Sequence, residues 1–134
     1  MLLDSSAILA LVDADDVNHD NALEVAGQIA AERRPVFVTN HLRAEAHALL
    51  LTRLGRGAAR EWLLRSGVDV IYVTRAEEET AIELLSDRED KDWSLCDAIS
   101  FVVVTQRRVG GAFSYDAHFH QFGRVRVWGT RADH

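Results

Sequence analysis

Trp93-Ser94-Leu95-Cys96-Asp97-Ala98-Ile99-Ser100-Phe101 runs on into Val102-Val103-Val104, and it sets one acid a turn into a segment that is otherwise almost wholly apolar. A helix over residues 94–108 would be apolar on nearly every side, which marks a buried central element rather than a surface one. Phe101 to Thr105 alone would pass for a strand, but the length of the run and the Ser94-x-x-Asp97 spacing of a capping box decide for helix. Asp97 then has two readings. It is the first-turn acid of a cap, favoured by the helix dipole, or it is a buried carboxylate that needs a partner, because unpaired buried charge is costly. Three other acids bear on the choice: Asp4, Glu45 and Asp116 each fall where a parallel strand should end or the following helix begin.

Outward from that stretch, short apolar runs alternate with helical patterns. Met1 to Asp4 reads as a strand, followed by a turn at Ser5-Ser6 and a short helix over Ala7 to Val12. Asp15 or Asp16 caps a helix reaching Ala31, with Val17, Leu23, Val25, Ala26 and Ile29 as its stripe and His19 turned to the surface. Val36-Phe37-Val38 is a second strand. Thr39 or Asn40 caps the next helix, where Leu42, Ala46, Leu49 and Leu50 face inward and Glu45 lies at the edge of their stripe. An intrahelical ion pair for Glu45 is weakly supported, since position 49 is leucine. Gly55 and Gly57 precede a helix from Ala58 to Arg65, Val68 to Val73 is a third strand, and Ala76 to Asp87 is an acidic amphipathic helix. Gly110-Gly111 ends the central helix. Ala112 to Tyr115 is a fourth strand running into Asp116, a short helix with Phe119 and Phe122 inward stops at Gly123, and Arg124 to Trp128 alternates as an edge strand does before a loose tail at Arg131 to His134. The expected architecture is α/β: three layers, α/β/α, around a central, mostly parallel sheet of four to five strands joined by right-handed helical crossovers.

The 134 residues, 48% of them hydrophobic and 27% charged, are expected to form one domain spanning 1–134 with a single core. No apolar run approaches the roughly 18 residues that cross a bilayer, and the opening carries Asp4 where a secretory signal would carry positive charge, so a cytoplasmic protein without membrane association is expected. Cys96 is the only cysteine, which excludes an internal disulfide and a cysteine zinc cluster, and a buried inert thiol is expected. The net charge of -6 is confined to residues 77–92, where eight acids meet only Arg88 and Lys91; elsewhere 13 acids balance 13 bases. That segment reads as a solvated helix face and loop, leaving the rest of the surface free to offer local basic patches to phosphate.

In an open parallel sheet the functional crevice lies beyond the carboxyl ends of the strands. Singly, Asp4 and Asp116 are explained as helix caps, Glu45 as a surface residue and Asp97 as the capping-box acid. Jointly they converge. Two carboxylates about 5 Å apart at an effective dielectric near 20 repel by roughly 3 kcal/mol, so several in one pocket call for a cation. Oxygen ligands without cysteine or a paired-histidine motif favour Mg²⁺ or Mn²⁺ over zinc.

Asp4-Ser5-Ser6-Ala7, Glu45, Asp92-Trp93-Ser94-Leu95-Cys96-Asp97-Ala98-Ile99-Ser100-Phe101 and Ser114-Tyr115-Asp116-Ala117-His118-Phe119 with the trailing Phe122-Gly123 follow one another in an order and spacing that resembles the PIN-domain nucleases, and among them the VapC-type toxins of bacterial toxin-antitoxin pairs. The resemblance runs the full length. Cys96 stands where a small hydroxyl residue is common and Ser114 where threonine is usual, and neither departure removes a carboxylate. The resemblance implies a PIN-like fold and a metal-dependent endoribonuclease in which Asp4, Glu45, Asp97 and Asp116 are both the catalytic residues and the ligands of one or two Mg²⁺ (or Mn²⁺) ions. It further implies that bound water is activated and phosphate charge offset by the metal, with Ser6 and Ser114 in support as hydrogen-bonders to ligands or water. An RNA substrate, a cognate antitoxin that blocks the acidic pocket, and a homodimer complete the expectation. His118 and His120 are expected to be exposed on a short surface helix rather than catalytic.

Two other chemistries fit poorly. A signalling receiver domain needs a pair of acids after the first strand and a late lysine, whereas Asp4 is followed by Ser5-Ser6 and the sole lysine is Lys91; a dehalogenase-like phosphatase needs an acid where Ser6 stands. The remaining alternative is a non-catalytic PIN-like module that binds RNA or protein. The intact set of four acids speaks against it, since without a metal their mutual repulsion would go uncompensated.

Overall fold

In a computed structural model that describes residues 1–129, the chain runs β1 (Leu2–Leu3), α1 (Ser5–Val12), α2 (His19–Ala31), β2 (Phe37–Thr39), α3 (Asn40–Leu54), α4 (Arg56–Arg65), β3 (Asp69–Ile71), α5 (Arg75–Asp87), α6 (Leu95–Gln106), β4 (Ala112–Ser114), α7 (His118–Phe122) and β5 (Val127–Gly129). The tail expected at Arg131 to His134 lies outside the described residues. The five strands form one sheet in the order β3-β2-β1-β4-β5, and every pairing is parallel, as expected. From β1 the chain moves outward to β2 and β3, then returns to the other side of β1 for β4 and β5. With right-handed crossovers, that reversal puts α1 to α4 on one face and α5 to α7 on the other, in agreement with which helices pack together. It also makes the gap beyond the carboxyl ends of β1 and β4 the topological switch point, where open α/β sheets bind ligands. A receiver domain is excluded by the same order, because its sheet runs 2-1-3-4-5.

The central stretch behaves as its composition dictates. Asp97 to Val104 are all buried, and both halves of the capping box form: Ser94 Oγ accepts the Asp97 N–H at 3.1 Å and Asp97 Oδ2 accepts the Ser94 N–H at 3.0 Å. Phe101 stacks on Phe122 and meets Trp93 and Phe119 edge-on, while Trp93 Nε1 donates to Gln121 Oε1 at 3.1 Å. This aromatic knot clamps α7 against the first half of α6. Each such pair contributes roughly 0.5–1.5 kcal/mol beyond burial, and the knot fixes where the residues just before α7 stand.

Several expectations are corrected. The helix expected from Asp15 or Asp16 starts at His19, because Asp13 Oδ1 accepts the Asp15 N–H and Asp16 Oδ1 accepts the Asn18 N–H, closing side-chain turns in place of a helical start. Its buried stripe is Ala22, Val25 and Ile29, whereas Val17 is 94% exposed and Leu23 is half exposed. His19 is not a free surface residue, since its Nδ1 lies 2.7 Å from the Ala10 carbonyl and ties α2 to α1. Gly55 alone separates α3 from α4, at φ 92°, where an L side chain would be strained; Gly57 is helical. The last strand begins only at Val127. Its docking depends on Gly111, where an added Cβ would stand 2.3 Å from the Trp128 ring. Thr74 and Glu77 form a second capping box, at the start of α5, and Glu77 is buried rather than solvated, held by Arg107 from the end of α6. Among the described residues no helix is long and apolar enough to cross a membrane.

Candidate metal centre

Asp4 follows β1 directly and is 4% exposed. Its Oδ2 accepts hydrogen bonds from Ser6 Oγ at 2.7 Å and Ser114 Oγ at 2.9 Å, and the two hydroxyls lie 3.2 Å apart. Each serine is itself fixed by a backbone donor, Tyr115 N–H to Ser6 Oγ at 2.9 Å and Asp116 N–H to Ser114 Oγ at 3.0 Å. Both hydroxyls therefore have their protons directed at Asp4, and Oδ1 carries none of these bonds. Burial raises the Asp4 carboxyl to about 6; the two serine bonds oppose that rise, and the negative charges of Glu45 and Asp97 add to it. So placed, the carboxylate lacks only positive charge.

Asp116 comes two residues after β4 and turns the chain into α7, its Oδ1 accepting the His118 N–H at 3.0 Å. That turn carries the His118 ring back toward the first turn of α6. His118 Nδ1 lies 2.8 Å from Asp97 Oδ2 and 3.2 Å from Asp116 Oδ1. The nitrogen is inaccessible to solvent, yet neither contact has the alignment of a hydrogen bond. Asp97 thus caps its helix and stands beside His118 and Asp116 at once. The expectation that His118 is simply exposed is corrected, since only 27% of its side chain reaches solvent; His120 is exposed as expected.

Glu45, in the second turn of α3, faces the cleft that Asp116 also lines. It is exposed, and it lines an open cleft of about 530 Å³ with Ser6, Leu49, Arg53, Tyr115 and Asp116. Burial first, then the neighbouring Glu45 carboxylate and the charges of Asp4 and Asp97, push the Cys96 thiol pKa well up. Cys96 is partly buried and offers no thiolate near neutral pH. Tyr115 closes the cleft floor, its hydroxyl donating to Asn21 Oδ1 at 2.5 Å and pushed up to about 12 by burial and by Asp16.

Of the four acids expected from the sequence, Asp97 and Asp116 come within 4.8 Å of each other and of His118, Asp4 feels the charges of Glu45 and Asp97 from its buried position, and Glu45 faces the cleft that Asp116 lines. The donor set fits a hard divalent ion: carboxylate oxygens converge, the one thiol is held protonated, and the buried Asp4 carboxyl is disfavoured as an anion until a cation joins it. Sequence reasoning missed Arg53, which makes no ion pair among the described residues and stands two turns beyond Glu45 on α3. Its signal was available: positions 45, 49 and 53 are spaced by four and share a helix face.

Comparison with known proteins agrees with this geometry. The PIN domain model matches residues 1–125. VapC20 of Mycobacterium tuberculosis, described as a 23S rRNA-specific endonuclease and found alike in strains CDC 1551 and H37Rv, is 33% identical over 131 residues, covering 95% of this chain and 97% of its own. The crystal structure of M. tuberculosis VapC20, described as a Sarcin-Ricin loop cleaving toxin, superposes with a TM-score of 0.77 at 31% identity over 91% of this chain and 94% of that one. A chain of a toxin-antitoxin complex from Klebsiella pneumoniae shares the fold, with a TM-score of 0.61 at 18% identity over 95% and 94% of the two chains. The present chain belongs to the PIN-domain family and, within it, to the VapC-type endoribonuclease toxins.

Proposed function

We propose that the protein hydrolyses phosphodiester bonds in RNA with Mg²⁺ or Mn²⁺ held by Asp4, Glu45, Asp97 and Asp116, and that it does so as the toxin of a toxin-antitoxin pair. What supports this is the acidic cluster of Asp97 and Asp116 beside His118, with the charges of Glu45 and Asp97 acting on the buried Asp4 and Glu45 lining the same cleft as Asp116, beyond the ends of β1 and β4 at the switch point of the sheet. A divalent ion, when bound, supplies activated water and positive charge for the scissile phosphate and leaving oxygen. Asp4, with its Oδ2 locked by Ser6 and Ser114, presents its other oxygen in one orientation. Glu45 and Asp116 meet solvent on the cleft side, where the substrate enters, and Arg53 on the same wall gives a phosphate of the RNA a counter-charge. Family membership supports a cytoplasmic toxin that works as a homodimer of one-domain chains, silenced by an antitoxin covering the acidic cleft. The full-length likeness to VapC20 supports ribosomal RNA, and within it a structured loop, as the substrate class.

The test is calorimetric titration of Mn²⁺ into the wild type and Asp4→Asn, followed by incubation of both with total RNA and with purified 23S rRNA. Ion binding and discrete cleavage, both lost in the variant, are expected. A folded, antitoxin-free wild type that binds no divalent ion would overturn the proposal, and cleavage confined to transfer or messenger RNA would overturn the ribosomal target alone.

A further inference from the structure

We propose that His118 is a nitrogen ligand of the metal centre, bound through Nδ1 at a position shared with Asp97 and Asp116. The inference rests on the metal-nuclease reading above and adds to the carboxylate set a donor of different chemistry. Nδ1 is fully buried, stands 2.8 Å from Asp97 Oδ2 and 3.2 Å from Asp116 Oδ1, and is aligned with neither. A hydrogen bond at such distances should be directed. Donors that share one ion should not be. On an octahedral ion with bonds near 2.1 Å, neighbouring ligand atoms stand about 3.0 Å apart, and each ligand axis points at the ion, between its neighbours rather than at them. One donor atom from each of the three residues lies within 4.8 Å of the others, as donors must to share a centre.

The sequence builds this arrangement locally. Asp116 Oδ1 accepts the backbone N–H of His118 and so winds the first turn of α7, which turns the imidazole inward. The contact of Phe119 and Phe122 with Phe101 then holds that turn against the start of α6, where Asp97 is fixed by its own capping box. Every atom of the trio is thus positioned by a bond or a packing contact other than its contact with the rest. An imidazole among carboxylates shifts preference from Mg²⁺ toward first-row transition ions, so the site should take Mn²⁺ in preference to Mg²⁺.

The test is pulsed electron paramagnetic resonance of wild-type protein loaded with one equivalent of Mn²⁺ after growth on ¹⁵N-histidine, beside His118→Gln. Modulation from a directly bonded nitrogen is expected in the wild type and absent in the variant, with Mn²⁺ affinity lowered at least about 10-fold and Mg²⁺ affinity lowered less. Bound Mn²⁺ without nitrogen coupling, or coupling that persists in the variant, would overturn the assignment and leave His118 as a hydrogen-bonder that orients Asp97; the carboxylate site would survive. Failure of the wild type to bind any Mn²⁺ would overturn both. A second measurement needs no variant: in the ¹⁵N-histidine spectrum of the wild type, bound Zn²⁺ should hold His118 Nδ1 free of its proton, and an Nδ1 that keeps it would overturn the proposal equally.

Discussion

Ser114 Oγ donates to Asp4 Oδ2 at 2.9 Å, joining the end of β4 to the end of β1 across 110 positions of sequence. Both groups are buried, and the bond holds a carboxyl whose folded value of about 6 stands above the unfolded 3.8. Between those values the native state binds the extra proton, so the neutral form favours folding fully below about 3.8, and that advantage is gone above about 6. Metal-free protein should therefore lose stability as pH rises from 4 to 6, by at most about 3 kcal/mol, and Mn²⁺ should restore it at pH 7.5 but not at pH 4. Denaturant midpoints at the two pH values, with and without the ion, read this directly. Asp4→Asn should erase the pH window together with RNA cleavage; a wild type whose metal-free stability is level from pH 4 to 6 would contradict the burial argument.

Ser114→Ala removes the donor to Asp4, the acceptor for the Asp116 N–H and the contact with the Ser6 hydroxyl. Its expected cost is about 1–3 kcal/mol, because the partners stay buried, and metal affinity should fall by about 10–100-fold as Asp4 and Asp116 lose their fixed orientation. Ser6→Ala frees the Tyr115 N–H and should act in the same direction. Thermal melts and Mn²⁺ titrations of the two variants separate the effects. Full metal affinity in both would mean that the serines are structural only.

The succession of strands and helices and the placement of acids at strand and helix ends were legible because each signal is local: apolar runs bounded by turn formers, and an acid at a fixed offset from each; the order of the strands in the sheet was not. What escaped was set by contacts distant in sequence or by one side chain capturing a backbone donor. Asp13 and Asp16 delayed α2 and left Val17 in the turn before it, and the packed face runs through Ala22, Val25 and Ile29 with Leu23 outside. His118 looked like a surface residue because nothing in Asp116-Ala117-His118 announces that Asp116 will wind the turn that brings the ring inward. Glu77 was hidden within an acidic run whose other members are solvated, and its partner is thirty positions away.

That partner is Arg107, whose Nε and Nη2 grip the two Glu77 oxygens at 2.7 and 2.6 Å while Nη2 also reaches the Tyr72 carbonyl at 3.2 Å. Arg107 first, and the cap at Thr74 after it, hold the Glu77 carboxyl down at about 2 against an unfolded 4.5. This contribution is present above about 4.5 and lost as pH falls toward 2, the opposite sense to Asp4. Because Arg107 is one-third exposed, solvent screening trims the effect. Glu77→Gln should cost about 2 kcal/mol at pH 7 and almost nothing at pH 2, and a double-mutant cycle with Arg107→Gln should show coupling. Equal destabilisation at both pH values would point to lost packing instead.

Arg53 offers a test of how substrate enters. It is exposed, carries no ion pair among the described residues, and shares the cleft wall with Glu45 and Leu49. An arginine there matches a phosphate flanking the scissile bond, where its fork binds two oxygens and a lysine would not. Arg53→Gln should leave the melting temperature within about 1 °C, since exposed substitutions away from caps and core change stability little. It should raise KM for RNA about 10-fold with a smaller change in kcat, and reduce the salt dependence of RNA binding by roughly 0.7 in log-log slope, the value for one single-strand phosphate contact. Arg53→Lys should recover the slope but only part of the affinity. A variant with unchanged salt slope and a fall confined to kcat would place Arg53 with the metal-binding carboxylates rather than with the RNA backbone.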